Sequence, residues 1–98
     1  MNQTNFLLPA LLSKQFNTND SLSTSTPQSI TILPETTLLR FNIIDSDVLL
    51  KWGATILTSS NADVPMSIGI NDIPVVKGQT TFQLLADGST AKYRVSQF

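Results

Sequence analysis

The chain has no cysteine and no histidine, and only 13% of its 98 residues are charged, against about 25% in ordinary globular proteins. Without cysteine there is no disulfide framework of the kind that holds small secreted modules together, and no thiolate to bind metal. Without histidine the commonest general base is missing, and with it the Ser-His-Asp arrangement of nucleophilic hydrolases. Six Lys or Arg against seven Asp or Glu give a formal charge of −1, so no basic field draws the chain to nucleic acid. No stretch approaches the ~20 apolar residues of a membrane-spanning helix. These absences point away from an enzyme, from a cofactor or metal protein, and from nucleic-acid and membrane partners.

What is present reads as one domain. Its length allows one core, and 41% hydrophobic residues are enough to build it. A domain of this size buries roughly 60–70% of its unfolded surface, so the core is thin and burial against partner subunits would add to stability.

Three zones follow one another. Residues 1–16 form an apolar arm carrying Phe6, Leu7, Leu8, Leu11, Leu12 and Phe16. Leu8, Leu11, Leu12 and Phe16 are spaced by three and four, which fits one face of a helix with Pro9 in its first turn. The arm is therefore expected to be extended or partly helical. It does not read as a signal peptide, because no Lys or Arg precedes the apolar run, Pro9 interrupts it and no A-x-A site follows. Residues 17–26 (NTNDSLSTST) are polar and of low complexity, readable as a linker or an edge strand. Residues 27–98 make the domain proper.

Period-2 alternation between turn residues predicts strands over 29–33, 37–44, 47–52, 55–57, 68–76, 79–86 and 91–98. In 37–44 the residues Leu39, Phe41 and Ile43 share one face; in 47–52 Val48, Leu50 and Trp52 do. Asp45-Ser46 between these segments, and Asp87-Gly88 between 79–86 and 91–98, read as the turns of two β-hairpins. Regularly spaced turn signals without a helix predict an all-β fold: a small β-sandwich, jelly-roll-like or barrel-like, with the N-terminal arm attached.

Chemistry-bearing residues are few. Asp20, Glu35, Asp45, Asp47, Asp63, Asp72 and Asp87 all fall in predicted turns or beside strand ends, where Asp bonds its own backbone. The Asp45-Ser46-Asp47 triplet has two hard-cation ligands but lacks the further acids and glycine of a calcium loop, so it reads as turn chemistry. Ser13-Lys14 has nothing near it to make a catalytic pair. Lys92 and Arg94 share a strand face beside Tyr93 and read as a solvated face. Trp52 stands at an inward position and is expected in the core; the other use of Trp52 or Tyr93 is as a stacking platform for a sugar ring.

The segments DVLLKWGATILTSS, DIPVVKGQTTFQLLADGS and AKYRVSQF resemble small β-sandwich virion proteins of tailed bacteriophages. The resemblance rests on the aromatic-glycine pair Trp52-Gly53 that ends a strand and on the Thr/Ser-rich stretch 55–60. It continues through the turn from Pro74 to Gly78, the strand over 80–86 and the closing residues 93–95. Upstream, SITILPETTLLRFNII looks like the opening strands of that group, with Pro34 between them. The likeness spans residues 27–98, departs from the group's pattern between Asn61 and Asp72, and has no counterpart for the arm. It implies a non-enzymatic structural role in the virion without a cofactor, most simply as a capsid decoration (cement) protein. Its implied partners are the major capsid protein or another virion protein, and copies of itself as a trimer or dimer. The arm residues Phe6, Leu7, Leu8, Leu11, Leu12 and Phe16 are then the expected partner-binding surface. A tail, baseplate or fibre-attachment adaptor is the alternative within the virion; a carbohydrate-binding module using Trp52 or Tyr93 is the alternative outside it.

Overall fold

The computed structural model describes residues 15–98, and among these there is no helix. Eight strands carry the fold: β1 (Gln15–Leu22), β2 (Gln28–Thr31), β3 (Leu38–Ile44), β4 (Val48–Trp52), β5 (Val64–Met66), β6 (Gly69–Pro74), β7 (Thr81–Ala86) and β8 (Ala91–Gln97). They form two antiparallel four-stranded sheets, ordered β1-β8-β3-β6 and β2-β7-β4-β5.

The register shows how one order generates the other. β1 pairs with β8 while β2 pairs with β7; β3 pairs with β8 while β4 pairs with β7; β3 pairs with β6 while β4 pairs with β5. The chain thus makes four long antiparallel ribbons, β1–β2, β3–β4, β5–β6 and β7–β8, and each bends once from one sheet into the other. Inward residues are odd-numbered in the first sheet (Leu39, Phe41, Ile43; Ala91, Tyr93, Val95) and even-numbered in the second (Val48, Leu50; Phe82, Leu84, Ala86). The change of parity at the β3–β4, β5–β6 and β7–β8 bends lets both halves of a ribbon bury the same concave side; on β1 the shift comes earlier, at the bulge between Asn19 and Leu22, so that Leu22 is buried.

The bends also bond to one another. The Ala86 N–H donates to the Ser23 carbonyl (2.9 Å) and the Asp87 N–H to the Asp47 carbonyl (2.9 Å). The Ser46 hydroxyl donates to the Asp87 carbonyl (2.8 Å). Asp45 (φ 76°) and Gly88 (φ 95°) supply the left-handed backbone that two of the bends need.

Two expected hairpins are therefore corrected. β3 and β4 lie in different sheets, as do β7 and β8. A short turn that crosses between sheets leaves Ile43 and Val48 on the same side, as a two-residue hairpin would. Local alternation therefore cannot separate the two. The expected strand over 55–57 is also absent: these residues belong to the β4–β5 connection, which folds back over the outer face of the second sheet. There Leu57 packs on Leu49 and Leu85 beside Ala62, a second small core outside the sandwich. Gln83 clamps it, accepting from the Leu57 N–H (3.0 Å) and donating to the carbonyls of Gly53 (2.9 Å) and Thr55 (2.6 Å).

Inside the sandwich Phe82 is the hinge of the aromatic packing. It meets Phe41 edge-on across the sheets at 5.8 Å and Trp52 at 6.4 Å. Phe41 and Phe82 are fully buried. Phe82→Ala should lower the unfolding free energy by about 3–5 kcal/mol, a large part of what a domain this small commands, read from urea melts followed by Trp52 fluorescence. Gln83→Leu should leave the sandwich folded at a cost of about 1–3 kcal/mol while hydrogen exchange at the Leu57 amide accelerates.

Candidate interaction surfaces

The bends gather at one end of the sandwich. At the other end stand the three connections between ribbons, residues 32–37, 53–63 and 75–80, together with the start of β1 and the end of β8. A cleft of about 550 Å³ opens there between the first and third of these connections. Its walls include Ile32, Leu33, Pro34, Val75 and Val76, with Glu35 and Lys77 also lining it. Gln97 holds one wall in place: its Oε1 accepts from the Leu33 N–H (2.9 Å) and the Thr36 hydroxyl (3.1 Å), and its Nε2 donates to the Thr31 carbonyl (2.9 Å). The turn of that wall runs Leu33-Pro34-Glu35-Thr36, closed by the Thr36 N–H on the Leu33 carbonyl (3.2 Å). Glu35 takes φ 67°, a conformation usually left to glycine after a proline.

Charges are tied up rather than clustered. Arg40 makes a two-pronged pair with Asp72 across β3 and β6 (2.8 and 2.9 Å). The Asp72 carboxyl is held below its usual range by that hydrogen bond, and the Arg40 guanidinium is raised by the same contact. Lys92 lies 3.6 Å from Asp45, Arg94 3.6 Å from Asp20 and Lys51 3.9 Å from Asp63. Lys92 and Arg94 do share the outer face beside β1, but each has its own carboxylate. Asp47 accepts from the Ile68 N–H through its side chain (3.2 Å) and from the Asp87 N–H through its carbonyl (2.9 Å). The two acids of the Asp45-Ser46-Asp47 triplet thus serve a lysine and the backbone. Among the described residues no three acidic side chains come close enough to hold a metal ion.

The two proposed stacking residues part company. Trp52 is half-buried, packed on the core and edge-on to Phe82. Its backbone N–H donates to the Asp63 carboxylate (2.9 Å). Tyr93 is 0% exposed, so its ring has no face to offer a sugar; alternation along β8 points it between the sheets. Its hydroxyl is buried without a hydrogen-bond partner, and so is Oδ1 of Asn17 on the neighbouring β1. Of the arm residues, Phe16 lies in β1, on the outer face of the sheet, and is 60% exposed. It is strand, not helix. Phe6, Leu7, Leu8, Leu11 and Leu12 lie outside the described residues. The stretch read as linker or edge strand supplies most of β1, the edge of the first sheet, up to Leu22.

Sequence reading missed the two structural glutamines. Gln97 continues the inward series Ala91, Tyr93, Val95, and a polar residue at such a position needs partners, so a signal existed. Gln83 sits at an outward position and is buried only because a loop folds over it; no periodicity marks that.

No family model matches the chain, and neither a curated protein nor a solved structure matches it.

Burial pushes the Tyr93 phenol up to about 12. Below pH 10 the phenol is neutral in folded and unfolded chains alike; above it the unfolded chain loses its proton first. Stability should therefore fall by up to about 3 kcal/mol between pH 10 and 12. Tyr93→Phe should flatten that part of the profile, measured by urea melts at each pH.

Proposed function

We propose that this chain is a structural subunit of a bacteriophage virion, most simply a capsid decoration protein whose sandwich and N-terminal arm both bind neighbouring protein. One observation carries the reading. The described surface ties most of its cations to carboxylates. It meanwhile leaves Phe16, Ile68 and Ile70 exposed along the first sheet and its β5–β6 flank. Paired, sparse charges lower the desolvation cost of covering a surface with protein, and exposed large apolar side chains favour being covered.

The strand order adds support at the level of the fold. Sheets ordered β1-β8-β3-β6 and β2-β7-β4-β5 describe a jelly roll of two Greek keys, an architecture frequent in viral shells and in lectins. Fold alone assigns no function. Of the two uses, the lectin-like one draws less from this molecule, because Tyr93 is buried and Trp52 presents only part of its ring.

The test is binding to the particle. Full-length protein carrying Leu8→Asp, Leu11→Asp and Leu12→Asp should keep the fluorescence and melting behaviour of the wild type but lose at least tenfold in affinity for undecorated capsids in co-sedimentation. Normal decoration by this variant would remove the arm from the proposal. Absence of the wild-type protein from shells, with three, six or twelve copies per particle at the tail, would move the site to a tail or baseplate adaptor.

A further inference from the structure

An aspartate can react with its own backbone when three conditions meet. Its carboxyl group must be unbonded, the amide nitrogen of the next residue must be able to swing onto the carboxyl carbon, and that next residue must be small enough not to block the approach. The described residues bring the three together at the bend between β7 and β8.

Asp87 is the only aspartate or asparagine in the chain followed by glycine. Both residues are exposed. Among the described residues the Asp87 carboxyl group makes no ion pair, and the hydrogen bond this residue accepts goes to its main-chain carbonyl. The Gly88 N–H donates to no backbone carbonyl. Gly88 stands at φ 95°, and no atom lies within 4 Å of the place a Cβ would take. Nothing on either side holds that peptide against rotation except the Ser46 hydroxyl.

The other candidates each lack a condition. The Ser21 N–H, which would attack Asp20, donates to Oδ1 of Asn19 (2.8 Å), and Asp20 faces Arg94. Asp45 faces Lys92, and Ser46 after it is buried. Asp47, Asp63 and Asp72 precede Val48, Val64 and Ile73, strand residues whose branched side chains crowd the nitrogen. Asn61 and Asn71 hold their side-chain amides on the carbonyls of Ile56 (2.9 Å) and Ser67 (2.8 Å).

We propose that Asp87-Gly88 is a self-modification site, at which the folded chain converts aspartate to isoaspartate. The Gly88 nitrogen bonds to the side-chain carboxyl carbon of Asp87. The proton of the nitrogen and the hydroxyl of the carboxyl group leave together as water, and a cyclic imide remains. Water then adds back to one of the two imide carbonyls. When it opens the bond to the main-chain carbonyl, the chain runs on through the side-chain carbon and the former main-chain carbonyl becomes a free carboxylate. Composition is unchanged, and water is the sole co-reactant.

The bend depends on the group that is altered. The Ser46 hydroxyl donates to that main-chain carbonyl (2.8 Å). Ala86 and Ala91 are the inner-face residues on either side, and both are buried. Isomerisation adds one backbone atom between them and places a charge on the acceptor of Ser46. The Asp87 N–H, on the Asp47 carbonyl (2.9 Å), precedes the change. The β7 side of the bend therefore keeps its bond while the entry to β8 slackens.

Full-length protein held folded at neutral pH and physiological temperature, beside the same chain in guanidinium chloride, tests this by peptide mapping. Isoaspartate is read as a peptide of unchanged mass that elutes separately and resists an endoprotease cleaving before aspartate. In the folded chain it should form at position 87 roughly tenfold or more faster than at any other aspartate, and within about threefold of the rate in denaturant. Asp87→Glu, which would need a larger ring, should abolish it while Trp52 fluorescence stays native. Asp87→Asn should speed it through the same imide, with ammonia leaving in place of water. The purified isoaspartyl form should unfold at lower urea concentration than the parent. An Asp87 that persists in the folded chain while the denatured chain converts, or equal conversion at Asp20 or Asp45, would overturn the site. An isoaspartyl form that melts with the parent would overturn the slackened bend.

Discussion

The contact on which the structure depends is the face-to-face packing of two halves of the same ribbons. Each of the four antiparallel segments bends once, and on either side of the bend it must bury the same concave side. That requirement sets the parity change: Ile43 inward before one bend and Val48 after it, Ala86 inward before another and Ala91 after it. Phe82 links the halves, edge-on to Phe41 in the opposite sheet and to Trp52 in its own. Once the ribbons are folded over, the bends occupy one end of the sandwich and every connection between ribbons must cross the other. The cleft, the Gln97 network and the entry point of the arm share an end for that reason.

The strands most readable from sequence were those with strict alternation, β3 and β8, because their outer faces carry Arg40, Asn42, Lys92 and Arg94 and so contrast with the inner ones. β7 was readable as a strand but not by its faces, since residues 82–86 are all buried, one side by the sandwich and the other by the 53–63 connection. That connection hid itself. Thr55, Ile56 and Leu57 have strand-like composition, and only the long-range bonds of Gln83 decide that they form a covering loop. The hairpins at 45–47 and 87–90 were misplaced for a different reason: a turn that stays in a sheet and one that leaves it impose the same local pattern. Pairing partners are distant in the chain, 58 positions for Leu39 and Gln97, and no local signal carries them. The cleft lay in the same blind spot, because its two walls come from segments about 40 positions apart.

The edges of the two sheets are not equally protected. β5 carries Pro65 in the middle of its three residues, and β2 is four residues long behind Pro27. β6 ends on Pro74, whose side of the strand faces outward because Val75 donates inward to Thr37. β1 is the longest edge strand and contains no proline; its protection is a bulge between Asn19 and Leu22 and the exposed Asp20. Short edges, prolines and charges are the usual means of preventing strand addition. The edge with fewest of them is the one into which the arm leads, so this side of the molecule is the least finished as a free surface.

The scarcity of charge acquires a structural sense from these placements. Cations stand on the central strands of the first sheet and their carboxylates on its edges or at a bend: Arg40 with Asp72, Arg94 with Asp20, Lys92 with Asp45. Exposed pairs of this kind add little stability, so stability is a poor reason for their arrangement. What pairing does change is the cost of covering the face, because a carboxylate already facing a guanidinium loses less on leaving water than a lone one does. The described charged side chains outside those pairs are Glu35, Asp47, Lys77 and Asp87; Glu35 and Lys77 line the cleft, and Asp47 accepts from the Ile68 N–H. A surface built this way is inexpensive to bury over the first sheet.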